Sequence, residues 1–85
     1  MSYEITYARS VLKSLRKLDR TVAQRILRAV DALAQDPRPQ GCLQLSGGDG
    51  ELRIRVGDYR VVYDVRDEEL IVLVLRLAHR REVYR

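Results

Sequence analysis

Eighty-five residues and 9.9 kDa allow one domain, expected to span residues 1–85, because pieces of roughly 40 residues rarely fold unaided. Apolar residues at 46% suffice for one two-layer core, charged residues at 33% keep it soluble, and no apolar run nears the ~18 residues of a membrane span. Sixteen basic side chains exceed twelve acidic, and fourteen of the sixteen are arginine, whose planar fork suits phosphate and stacks on bases. A GC-rich genome would give the same arginine bias, so composition permits nucleic-acid binding without establishing it.

The start, Met1 to Ile5, has neither a basic segment nor a following apolar stretch, so no signal peptide is expected and the setting is read as cytoplasmic, with no membrane. Residues 3–7 alternate apolar and polar and predict a short strand with Tyr3, Ile5 and Tyr7 on one face. Ala8, Val11, Leu12, Leu15 and Leu18 then follow helical spacing, opposite Arg9, Lys13, Arg16 and Lys17. Asp19 has the chemistry of an N-cap for a second helix carrying Val22, Ile26, Ala29 or Val30, and Leu33 inward. Asp36-Pro37-Arg38-Pro39 ends that helix, since proline lacks an amide donor and disfavours helix in the residue before it.

Residues 40–50 hold four of the five glycines and predict a loop around a short strand at Cys42–Leu45. Cys42 is the single cysteine, which excludes an internal disulfide and fits a reducing compartment. With one Cys and one His the usual nitrogen–sulfur ligand set is missing, so no metal and no cofactor are expected. Gly47-Gly48-Asp49-Gly50 matches neither a P-loop nor a dinucleotide fingerprint. From Leu52 the period becomes two, Gly57-Asp58 suits a type II′ hairpin turn, and the chain returns over Tyr59–Arg66. After the turn Asp67-Glu68-Glu69, the run Leu70–Ala78 reads as a central strand buried on both faces. The outline is α+β, in the order β-α-α-β-β-β: two N-terminal helices packed on one face of a small antiparallel sheet.

Residues 1–35 hold seven basic and three acidic side chains, whereas residues 50–85 hold eight and seven. A basic site in the second half must therefore come from arrangement. With Gly57-Asp58 as the turn, Arg55 lies opposite Arg60 and Arg53 opposite Val62, so Arg53, Arg55 and Arg60 project from one face. Like charges directly across an antiparallel pair cost some tenths of a kcal/mol, which a phosphate between them would offset. A solvated polar face with splayed arginines would give the same spacing. The tail adds Arg80, Arg81 and Arg85 with the aromatic Tyr84, and arginine beside tyrosine is common equipment for holding an unstacked nucleotide. His79 has no partner at any telling spacing, and a strand-end role competes with a general-acid or RNA-contacting one.

Leu52-Arg53-Ile54-Arg55-Val56-Gly57-Asp58-Tyr59-Arg60-Val61-Val62-Tyr63 and the ending His79-Arg80-Arg81-Glu82-Val83-Tyr84 resemble the RelE-type toxins of the RelE/ParE superfamily. The opening Tyr3–Tyr7 strand, the Arg16-Lys17-Leu18-Asp19 link and Asp36–Pro39 resemble it too, so the likeness covers essentially the whole chain. It implies a RelE-like, microbial ribonuclease-type fold and a ribosome-dependent endoribonuclease, an mRNA interferase that attacks the adjacent phosphate with the message's own 2′-hydroxyl, without metal. The family's catalytic positions fall on Arg53, Arg55, Arg60, Arg80 and Tyr84, with Arg81, Arg85 and His79 as further RNA contacts. Implied partners are a RelB-like antitoxin, the ribosome with its mRNA, and operator DNA through the antitoxin complex. Well-known members carry lysine where this chain has Arg53 and Arg55. Arginine stays protonated, so these two stabilise charge rather than act as bases. A ParE-like inhibitor of DNA gyrase and a non-catalytic antitoxin- and operator-binding module share the fold; the arginine cluster favours the nuclease.

Overall fold

A computed structural model describes residues 2–44 and 51–79. In chain order the elements are β1 (Glu4–Tyr7), α1 (Arg9–Lys17), α2 (Arg20–Ala32), β2 (Leu43–Gln44), β3 (Leu52–Val56), β4 (Tyr59–Arg66) and β5 (Ile71–His79). Asp19 caps α2 as its chemistry predicts, its carboxylate accepting from the Thr21 amide at 3.2 Å. Regular helix stops at Ala32, but Leu33, Ala34, Gln35 and Asp36 still donate to carbonyls three or four residues back. The helical path thus tightens and runs out against Pro37, where no amide remains to donate.

Five strands form one sheet in the order β1-β5-β4-β3-β2. Strands β2 to β5 pair antiparallel, and β1 lies parallel to β5, Glu4 opposite Ile71 through Tyr7 opposite Val74. The expectation of an antiparallel sheet therefore fails at this one seam. Alternation along a strand reveals hairpins between neighbours but not a partner that lies beyond a helical crossover.

Both helices cover the same face of the sheet. Val11 and Leu15 of α1, with Ile26, Val30 and Leu33 from α2 and its end, pack on Leu52, Ile54, Val61, Tyr63, Val72 and Val74. Removing these side chains from water is the main stabilising term, about 1.5–3 kcal/mol for each large one. Among the described residues, no helix lies over the other face. Hence β5 is not buried on both sides as its composition suggests: Val72 and Val74 are buried, Ile71, Leu73 and Leu75 half-buried, and Arg76 exposed.

Two polar contacts anchor the segment after α2. The fully buried Tyr63 donates its hydroxyl to the Pro37 carbonyl at 2.7 Å, and burial raises its pKa. Arg38 reaches both carboxylate oxygens of Asp67, at 3.1 and 2.9 Å, and Tyr3 donates to the same carboxylate at 2.7 Å. Asp67 thereby ties the start of the chain and the Pro37–Pro39 segment to the turn between β4 and β5.

Candidate functional site

The site is built by the β3–β4 hairpin. Gly57 has φ +59° and Asp58 does not share a positive φ, which is the type II′ pattern the Gly-Asp order predicts. Pairing follows from that turn: Val56 opposite Tyr59, Arg55 opposite Arg60, Ile54 opposite Val61, Arg53 opposite Val62. Because paired residues share a face, Leu52, Ile54, Val61 and Tyr63 enter the core while Arg53, Arg55 and Arg60 stand on the helix-free side.

Their settings differ. Arg55 is exposed, and its Nε donates to the Gly57 carbonyl at 3.1 Å, so the side chain folds back along the turn. Arg53 and Arg60 are half-buried, and Nη1 of Arg60 is shielded from solvent. Partial burial lowers the local dielectric, so an anion placed against these two would be held more strongly than by a fully solvated guanidinium.

The remaining predicted residues divide. Arg80, Arg81, Tyr84 and Arg85 lie outside the described residues. His79 is described, and its register position puts it on the opposite sheet face from Arg53, Arg55 and Arg60. It pairs with Tyr59, whose face is that of the core, and the two rings meet edge to face with centroids 5.0 Å apart. Glycines 47, 48 and 50 also fall outside the described residues.

One cation on this face escapes a reading by alternation. The β4–β5 register slips between Val62 and Tyr63: Tyr63 faces Val74, but Val62 faces Arg76. Leu75 is the extra residue of a β-bulge. Beyond it the alternation inverts, so Leu77 packs on the core and Arg76 turns to the helix-free side. The signal in sequence is Arg76 itself, the only charge inside Leu70–Ala78, which strict period two would place with Val72 and Val74 in the core.

Rows across the sheet now show a graded face. Nearest the hairpin turn stand Arg55, Arg60 and Ala78; next come Leu43, Arg53, Val62 and Arg76; then Asp64, Leu73 and Thr6. Cations gather at the turn end, and carboxylates begin one row beyond, where Glu51 lies 3.7 Å from Arg76 and Asp64 lies 3.4 Å from Arg66. Arrangement, not net charge, makes one end of the sheet anion-seeking. Leu43, 54% exposed, and Val62 give that end an apolar floor beside the guanidinium groups.

Comparison with known proteins agrees with this architecture. A family model described as "ParE toxin of type II toxin-antitoxin system, parDE" matches residues 5–84. Among curated relatives, mRNA interferase toxin RelE of Escherichia coli K12 is 30% identical over 99% of this chain and 92% of its own length. Toxin RelG of Mycobacterium tuberculosis is 30% identical over 100% of this chain and 99% of its own. Among solved structures, a chain of the RelE–RelB complex from Pyrococcus horikoshii superposes with a TM-score of 0.84 at 30% identity, covering 94% of this chain and 97% of that one. The intact RelBE toxin–antitoxin complex of E. coli gives 0.81 at 28% identity, covering 92% and 96%. Matched over nearly its full length by the family model and by RelE toxins alike, the chain belongs to the RelE/ParE toxins of type II toxin–antitoxin systems.

Proposed function

We propose that this chain is a RelE-type toxin that cuts mRNA on the ribosome and is neutralised by a RelB-like antitoxin. The observation that carries the reading is the pairing of Arg55 with Arg60 beside Arg53 on a sheet face that none of the described helices covers. A fold gains nothing from opposing two guanidinium groups, whereas a phosphodiester between them turns repulsion into two attractive contacts. The mRNA interferase name of the E. coli relative supplies the substrate class.

The chemistry is transesterification. The 2′-oxygen of a nucleotide forms a bond to the adjacent phosphorus as the bond to the 5′-oxygen breaks, leaving a 2′,3′-cyclic phosphate and a 5′-hydroxyl. Charge on the non-bridging oxygens rises in the transition state, and Arg53, Arg55 and Arg60 are placed to stabilise it. None of the three is a base, since a guanidinium stays protonated. Arg80 adds a further charge-stabilising cation, proton transfer falls to Tyr84 or the ribosome-bound message, and Arg81 and Arg85 extend the RNA contact. The setting is the cytoplasm, and the toxin–antitoxin pair contacts operator DNA.

The test is primer extension on a message translated in the presence of the purified chain. Cleavage within the codon in the decoding site is expected, reversed by the antitoxin encoded beside it. Arg60→Ala should lower the cleavage rate by about 10²–10³-fold, the scale of losing one transition-state donor, with the circular dichroism of the wild type. The ParE description of the family model favours one other outcome: arrest with intact messages and broken DNA would make the chain a gyrase inhibitor instead.

A further inference from the structure

We infer that Arg76 is a binding residue for the RNA strand, gripping a phosphate next to the one held by Arg53, Arg55 and Arg60, and that Glu51 occupies it until RNA arrives. The inference rests on the nuclease reading above and adds to it a residue that the sequence does not place in the site.

Three observations converge on it. The bulge at Leu75 is what delivers Arg76 to the helix-free face, and bulges recur beside active sites because they re-aim a side chain without moving the sheet. Arg76 stands in one cross-strand row with Arg53, with Val62 between them, so the two Cα positions are about 10 Å apart at the usual strand spacing. Two long side chains at that separation can hold successive phosphates of one strand, while Leu43, 54% exposed, offers an apolar surface to a base. Finally, Arg76 is 64% exposed and meets Glu51 only at 3.7 Å, longer than a charge-assisted hydrogen bond. A loose, exposed ion pair of this kind contributes little to stability and is readily exchanged for a phosphate.

The exchange has a sign. Glu51 competes with RNA for the guanidinium, so removing its charge frees Arg76 for the strand, while removing Arg76 takes away the cation for which the two compete. Ribosome-dependent cleavage should therefore respond in opposite directions. Arg76→Ala is expected to raise KM about tenfold with kcat within about twofold, the weight of one charge-assisted contact made equally in ground and transition states. Glu51→Gln is expected to lower KM by about threefold to fivefold, and to have no such effect when combined with Arg76→Ala. Arg76→Lys should recover most of the loss, because a phosphate accepts a point charge where a bidentate fork is not required.

An unchanged KM in Arg76→Ala, with wild-type cleavage intact, overturns the inference. So does weakened antitoxin binding in Arg76→Ala with unaltered RNA cleavage, which would make the pair an antitoxin contact. A fall in kcat rather than a rise in KM overturns it as well, placing Arg76 at the reacting phosphate. If the wild-type chain cleaves no message, the nuclease reading itself has failed and this inference falls with it.

Discussion

Single residues carry unequal weight here, and Asp67 shows it best. Its carboxylate takes both arms of Arg38 and the hydroxyl of Tyr3, which hold its pKa down to about 2 from 3.8. A carboxyl whose pKa is lower in the folded chain adds stability that is complete above its unfolded pKa and is lost on acidification. The urea midpoint should therefore fall as the pH drops from about 4 towards 2, and Asp67→Asn should flatten that slope while lowering the midpoint at neutral pH. The pair is solvent-exposed, so the effect is a slope to be measured rather than a large share of the folding energy.

At the scale of elements, the hairpin turn couples fold to site. A Cβ on residue 57 would meet nothing closer than Arg25 Nη2 at 4.0 Å, so space is not the constraint. The constraint is φ +59°, a left-handed conformation that costs an L-residue about 1–2 kcal/mol. Gly57→Ala should lower the unfolding free energy by that amount in urea titration. It should also reduce cleavage, because Arg55 and Arg60 flank the turn and Arg55 is tied to its carbonyl. Most of this was legible in the sequence: the Gly-Asp order, the alternation around it and the Asp19 cap are local signals, and local signals survive folding. What could not be read depends on distant pairing. The parallel seam of β1 with β5 needs a partner more than sixty positions away, and the bulge at Leu75 breaks the alternation that every assignment of strand faces relied upon. For that one reason Arg76 lies on the face opposite to the one strict alternation would give it.

Taken whole, the molecule separates its net charge from its candidate site. The helical half holds the surplus of basic side chains, while the graded sheet face holds an organised few. Binding of a short single-stranded RNA should thus weaken with salt as though about two phosphates were neutralised, one by the hairpin arginines and one by Arg76, a slope near −1.4 in a plot of log affinity against log salt. Neutralising Arg53, Arg55 and Arg60 should roughly halve that slope, and neutralising Arg16, Lys17 and Arg28 on the helices should leave it unchanged; filter binding across a salt series separates the two. The seam between β1 and β5 also sets a clock. A ribosome delivers residues 4–7 early and residues 71–79 after every other strand of the sheet, yet the late strand lies between β1 and β4 and brings Val72 and Val74 into the core. Until it emerges, β1 has no neighbour among the described strands, and the arginine rows lack one side. The strand made last is thus the one that closes the sheet, and the arginine rows reach their full width only when it docks.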